Sequence, residues 1–157
     1  MTQIARLSSF YQAAPANLQA MIALSMSVKK SSLGIRLVEL VNLRISQING
    51  CGVCVDMHWR DLIKQGLDPR HLNAIAGWRE APSSFFSKRE RAALNWAEAV
   101  NALPHRQPGD DDFALLKTHF DETAIAELSY GIAVIRGWNL INASLHNQIP
   151  EVPAPGF

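Results

Sequence analysis

The residues able to do chemistry gather in one stretch, from Glu39 to His58, which holds both cysteines of the chain, Cys51 and Cys54. Asn49-Gly50 is a break signal, so Cys51 is expected to open a helix that runs through Ile63 and Lys64 to Gly66. On such a helix Cys51, Cys54 and His58 stand at i, i+3 and i+7, which sets two thiols and an imidazole along one face. Both cysteines fall in the first turn, where unpaired N–H groups and the positive end of the helix dipole favour thiolate over thiol. His58, one turn beyond Cys54, can accept or relay its proton, and as an imidazolium would favour the thiolate further. A dithiol so placed is a candidate redox centre.

Plainer readings compete with this one. Two small cysteines can simply pack a helix, but packing needs neither the Asn-Gly before them nor the His after them. Cys51, Cys54, His58 and Glu39 could instead supply four zinc ligands, yet structural zinc sites usually draw on two separated pairs rather than one helical turn. Glu39 is open to two readings. Arg36, Glu39, Asn42 and Ser46 recur at helical spacing, as a narrow solvated stripe on a buried helix would. If that stripe faces the cysteine helix, a carboxylate among apolar neighbours has a raised pKa and holds a proton near neutral pH, as a general acid/base must. His71, His105, His119 and His146 form no ligand spacing and read as surface or capping residues. Trp59, Trp78, Trp96 and Trp138 read as core or interface residues rather than a cofactor box.

Glu39, then Ser46-Gln47-Ile48-Asn49-Gly50-Cys51, then Cys54 and His58 resembles the alkylhydroperoxidase D branch of the carboxymuconolactone decarboxylase-like family. The pattern is a Glu twelve residues before the first Cys, a Cys-x-x-Cys, and a His four after the second. The resemblance extends over residues 15–100 as an all-helical domain, and the last third matches by helical character. It implies a cysteine-based antioxidant enzyme that reduces hydroperoxides with no metal or organic cofactor. Cys54 would be the peroxidatic thiol and Cys51 the resolving one, the two closing to a disulfide through a sulfenic acid. Glu39 would belong with His58 to a proton relay, through water. With only two cysteines the chain needs an external dithiol, and the resemblance implies a lipoyl protein or a thioredoxin-like carrier, together with assembly into trimers or hexamers. Some peroxidase members carry a His immediately before the second cysteine; here that position is Val53, which removes one polar group from the relay and leaves disulfide exchange untouched. The decarboxylase branch does not use a cysteine pair, so Cys-x-x-Cys argues against that activity. The alternative from another class is a helical oligomeric binding or redox-sensing module with no peroxidase turnover.

The elements that must position these residues are all helical. The 157 residues, 48% hydrophobic, make one domain's worth of chain with its own core, and a net charge of +1 sets up no field for nucleic acid or an anionic membrane. No charged leader with an apolar core opens the chain and no apolar stretch approaches membrane-spanning length, so a cytoplasmic protein is expected. Residues 1–13 show no clear period and read as a packing arm. Pro15 suits the first turn of a helix over 15–29, and Ser31 or Ser32 can cap the next, whose apolar positions from Ile35 to Ile45 cover most of its circumference. After the cysteine helix, Asp68-Pro69 starts a short helix over 69–77. Residues 79–86 form a connection, and Ser87 with Glu90 makes a capping box for a helix to Asn101. Pro104 to Gly109 is a loop, Asp110 to Asp112 begin a short helix, and Asp121 caps the longest one, reaching the neighbourhood of Gln148. Gly131 and Gly137 inside it suggest a close approach by another helix or a ligand. The class is therefore all-α, with a core over 15–148 and an irregular proline-rich tail over 149–157. The helices carry more apolar surface than a small domain buries, which predicts a homo-oligomer.

Overall fold

Residues that punctuate the sequence also punctuate the backbone. In the computed structural model, which describes residues 4–153, every regular element among the described residues is helical. In chain order they are α1 (Phe10–Ala13), α2 (Pro15–Lys29), α3 (Ile35–Asn49), α4 (Gly52–Lys64), α5 (Pro69–Asn73) with a 3-10 turn (Ala74–Gly77), α6 (Lys88–Asn101), α7 (Asp110–Lys117) and α8 (Glu122–Ser144). The all-α class holds, and α1 adds a single turn to the seven helices read from the sequence. Residues 1–3 of the expected arm and 154–157 of the expected tail lie outside the described residues.

Most helix starts follow their local chemistry. Pro15 occupies the first turn of α2, and the Asp68 side chain accepts the Arg70 N–H at 2.8 Å. Ser87 and Glu90 exchange both bonds of the capping box, and Asp121 accepts from the Ala124 N–H at 2.8 Å. Two expectations are corrected. Neither Ser31 nor Ser32 caps α3, which begins after Gly34 at φ 83° with no side-chain cap; Ser32 is turned toward Glu127, donating its hydroxyl at 2.5 Å and its N–H at 3.1 Å. The last helix stops at Ser144, short of Gln148. His146 takes φ 54° and the Asn147 N–H closes on the Asn142 carbonyl at 2.9 Å, a Schellman-type end.

α3 is the axis of the fold, packed by α2, α4, α6 and α8 and by the 3-10 turn. Its wide apolar circumference serves two cores. Val38, Val41 and Ile45 join α8 and the cysteines, while Leu40 and Leu43 join Leu62, Leu72, Ile75 and Phe86 on the other side. Burying a side chain of this size contributes about 1.5–3 kcal/mol, so α3 is held mainly by its neighbours. α8 lies against α2 as closely as its glycines allow. A Cβ at Gly131 would meet Val28 at 3.2 Å and one at Gly137 would meet Met21 at 3.3 Å, so the expected close approach is made by α2. Leu24, Tyr130 and Leu140 remain exposed on these two helices. Among the described residues no helix is long and apolar enough to cross a membrane.

Candidate active site

The cysteines owe their position to the turn between α3 and α4. Gly50 ends α3 in the left-handed region at φ 68°, where a side chain would be strained, and the Cys51 N–H closes back on the Ser46 carbonyl at 3.1 Å. The chain therefore reverses at once and Cys51 becomes the N-cap of α4. Its sulfur accepts the Cys54 N–H at 3.4 Å, and the two sulfurs are joined as a disulfide across a Cα–Cα distance of 5.3 Å. Both cysteines are only 1% exposed. Cys54 has a further polar neighbour: Asn142, on α8, donates from Nδ2 to Cys54 Sγ at 3.6 Å.

Glu39 and His58 also meet, across the α3–α4 packing. His58 Nδ1 lies 2.5 Å from Glu39 Oε2, with the carboxylate fully buried and the histidine 4% exposed. Because a carboxylate only accepts, Nδ1 carries the hydrogen of this bond. Nε2 is buried and has no hydrogen-bond partner among the described residues. Among the described residues no hydrogen bond joins the His58 ring to either sulfur. The reading of Glu39 as a solvated stripe is therefore overturned for three of its members: Glu39, Asn42 and Ser46 are buried, and only Arg36 turns outward, to Glu90.

The expected raised pKa of Glu39 is also corrected. Burial does push the carboxyl up, but the hydrogen bond and charge of His58, together with Lys29, outweigh it and hold Glu39 below the usual carboxylate range. His58 contributes most to this lowering and Lys29 adds to it. At the end of α2 its ammonium reaches inward, 2.9 Å from Glu39 Oε1 and 3.5 Å from Asp61, with its side chain only 9% exposed. Both carboxylate oxygens of Glu39 thus face a positive or hydrogen-bearing group. Glu39, His58 and Asp61 offer ligand-type atoms within 4.8 Å of one another, and the Lys29 ammonium on both carboxylates accounts for the grouping without a metal. Of the four zinc ligands weighed from the sequence, Cys51 and Cys54 are bonded to each other in this structure.

Sequence reasoning missed Lys29 and Asn142. Lys29 reads as an ordinary cation near a helix C-terminus. Asn142 carried a usable signal: with Asn139 it is one of two poor helix formers three residues apart inside an apolar helix, a place that requires buried polar partners. Asn139 finds them in Ser46, at 3.0 Å, and Asn49, at 3.0 Å.

Two cavities flank the site. A small one of about 20 Å³ is lined by Lys29, Asn42, His58, Ser25 and Trp138 and has room for about one water molecule. A larger one of about 230 Å³ lies between the start of α4 and the end of α8, with Cys51, Gly52, Asn142, His146, Asn147 and Ile149 in its wall. The site can therefore hold a dithiol, a fixed carboxylate–imidazole pair and a proton-carrying water in one buried region.

Comparison with known proteins gives the family and the fold. The profile of the carboxymuconolactone decarboxylase family matches residues 15–99. The chain is 31% identical over 140 residues to the uncharacterized protein YdfG of Bacillus subtilis, a match covering 89% of this chain and 94% of YdfG. A shorter match, 37% identical over 67 residues, joins 43% of this chain to 35% of the alkyl hydroperoxide reductase AhpD of Coxiella burnetii. In fold, a protein of unknown function from Agrobacterium tumefaciens, provisionally named an antioxidant defence protein AhpD, superposes with a TM-score of 0.87 at 35% identity, over 94% of this chain and 99% of that one.

Proposed function

The chain belongs to the AhpD-like carboxymuconolactone decarboxylase family, and we propose that it is a cysteine-based hydroperoxide reductase. The observation that carries this reading is the buried Glu39–His58 pair held one turn from the Cys51–Cys54 disulfide. A purely structural dithiol has no need of an ionised carboxylate and an oriented imidazole beside it. The family match and the AhpD relatives support the same reading.

Cys54 is the attacking thiol. His58 Nε2 takes its proton, through water, while Glu39 holds the ring by Nδ1–H and stabilises the imidazolium that forms. The Cys54 thiolate attacks the distal peroxide oxygen, the O–O bond breaks, and the departing alkoxide recovers a proton from His58 as alcohol. Cys54 is left as a sulfenic acid. The Cys51 thiol then attacks that sulfur, water leaves, and the Cys51–Cys54 disulfide closes. Two electrons from an external dithiol, lipoyl or thioredoxin-like, reopen it. Val53 supplies no second histidine, so His58 is the sole imidazole of this relay. The exposed Leu24, Tyr130 and Leu140 on α2 and α8 support assembly of the enzyme as a homo-oligomer, a trimer or a hexamer.

The test is consumption of cumene hydroperoxide with dihydrolipoamide as donor. The expected result is turnover that requires protein and donor together and disappears in Cys54→Ser. No consumption above that of the donor alone would leave the second reading, a redox-sensing or binding module whose buried dithiol does not turn over.

A further inference from the structure

The two sulfurs of the disulfide differ in their surroundings, and the difference gives its reduction a direction. Cys51 forms part of the wall of the 230 Å³ cavity between α4 and α8, whereas Cys54 does not. Cys54, in turn, is the sulfur that receives the Asn142 Nδ2 hydrogen bond. Asn142 is 5% exposed and cannot turn its amide freely. Its Oδ1 accepts from Asn147 Nδ2 at 2.9 Å, and the helix end that carries both residues is closed by the Asn147 N–H on the Asn142 carbonyl. The amide is thereby fixed with its donor side on the Cys54 sulfur, the orientation that stabilises negative charge there.

We propose that an incoming thiol reduces this disulfide at Cys51, through the cavity between α4 and α8, and that Asn142 is a catalytic residue of that step, holding Cys54 as the departing thiolate. The donor thiolate attacks Cys51 Sγ, the S–S bond breaks, and its electron pair leaves on Cys54. The second thiol of the donor then attacks the donor sulfur of the mixed disulfide, releasing Cys51 as a thiolate that takes up a proton. The donor is oxidised by two electrons and the protein disulfide reduced by two. Thiol–disulfide exchange is faster when the leaving sulfur carries its charge more easily. Each sulfur accepts one N–H, Cys51 from the Cys54 backbone at 3.4 Å and Cys54 from the Asn142 amide at 3.6 Å, so it is access from the cavity, joined to the Asn142 amide on the departing sulfur, that selects Cys51 as the sulfur attacked. The same amide serves the peroxide half-reaction, where Cys54 must again be a thiolate. With Cys51 only 1% exposed, the donor thiol must be slender enough to enter the cavity. This inference rests on the redox-disulfide reading above, but its test involves no peroxide.

The oxidised wild-type protein is treated with 2-mercaptoethanol in the presence of iodoacetamide, which caps whichever thiol is released, and the peptide carrying both cysteines is sequenced by tandem mass spectrometry. The expected product carries mercaptoethanol on Cys51 and carbamidomethyl on Cys54. Asn142→Ala should slow its formation about tenfold, the loss of one hydrogen bond to a charged group, and Asn142→Asp should slow it at least as much while keeping the acceptor for Asn147. Mercaptoethanol mainly on Cys54, or spread evenly, overturns the direction of attack. Unchanged rates in folded Asn142 variants overturn the role of the amide. Absence of peroxide turnover with the expected adduct would sink the peroxidase reading and leave this one standing.

Discussion

His58 Nδ1 is bound to Glu39 Oε2 at 2.5 Å, so the imidazole that follows the cysteine pair is anchored to the preceding helix and not to its own. The other oxygen of Glu39 is held by Lys29, from a third helix. Three helices must therefore dock in register before the imidazole has a fixed orientation.

Glu39→Gln removes a buried charge and takes from Lys29 the nearer of its two carboxylates, Asp61 remaining, and should cost about 3 kcal/mol of stability at neutral pH. The pH dependence has a definite sign. The folded carboxyl lies below its ordinary value, so the unfolded chain binds more protons in the interval between the two. The stabilisation is present above the ordinary glutamate pKa and disappears as pH falls through the lower folded one. In urea titrations the gap between wild type and Glu39→Gln should narrow on acidification across that interval; a gap of constant size would contradict the ionised state assigned to Glu39.

Lys29→Met keeps much of the aliphatic stem but removes one of the groups that holds Glu39 down. The folded pKa of Glu39 should rise, and with it the pH at which the protein loses stability in acid. Circular dichroism across an acid titration reads this directly. An acid midpoint that does not move upward would mean that His58 alone fixes the carboxylate.

The roles of the two cysteines separate by substitution. Cys51→Ser should still lose one thiol to hydroperoxide and accumulate a sulfenic acid at Cys54, which a dimedone adduct detects by mass. Cys54→Ser should react no faster than a free model thiol. If Cys54→Ser keeps the fast thiol instead, the capping N–H on Cys51 outweighs Asn142 and the roles are exchanged.

Much of this site was legible because its determinants are local. Asn49-Gly50 forces the reversal that makes Cys51 an N-cap, and the spacing to Cys54 and His58 follows from helix geometry alone. The starts of α6 and α8 were readable from Ser87, Glu90 and Asp121 for the same reason. What escaped depends on docking across long sequence separations. Asn142 meets Cys54 from 88 residues away, and nothing near Lys29 in the sequence shows that its ammonium ends on Glu39. The shift of Glu39 runs opposite to the expectation because the hydrogen bond and charge of His58, and after them Lys29, outweigh burial. α8 ends earlier than Pro150 requires, because His146 turns the chain four residues before it in a left-handed conformation that no local sequence signal announces.

The exposed Leu24, Tyr130 and Leu140 predict association through α2 and α8. Light scattering at micromolar concentration should give a multiple of the 17.4 kDa chain mass, three- or sixfold, and Leu140→Asp should lower it. A mass near that of one chain would contradict the oligomer.

The account stands on peroxide chemistry at the Cys51–Cys54 pair, and a thiol count tests it most directly. Reduced protein is mixed with one equivalent of hydroperoxide at neutral pH and its thiols are titrated over time. Both thiols should disappear together, in stoichiometric yield, about a hundredfold or more faster than a free model thiol, as general base assistance predicts. Loss at the rate of the model thiol would contradict the account, because a buried carboxylate–imidazole pair that does not accelerate oxidation is not a peroxidase relay.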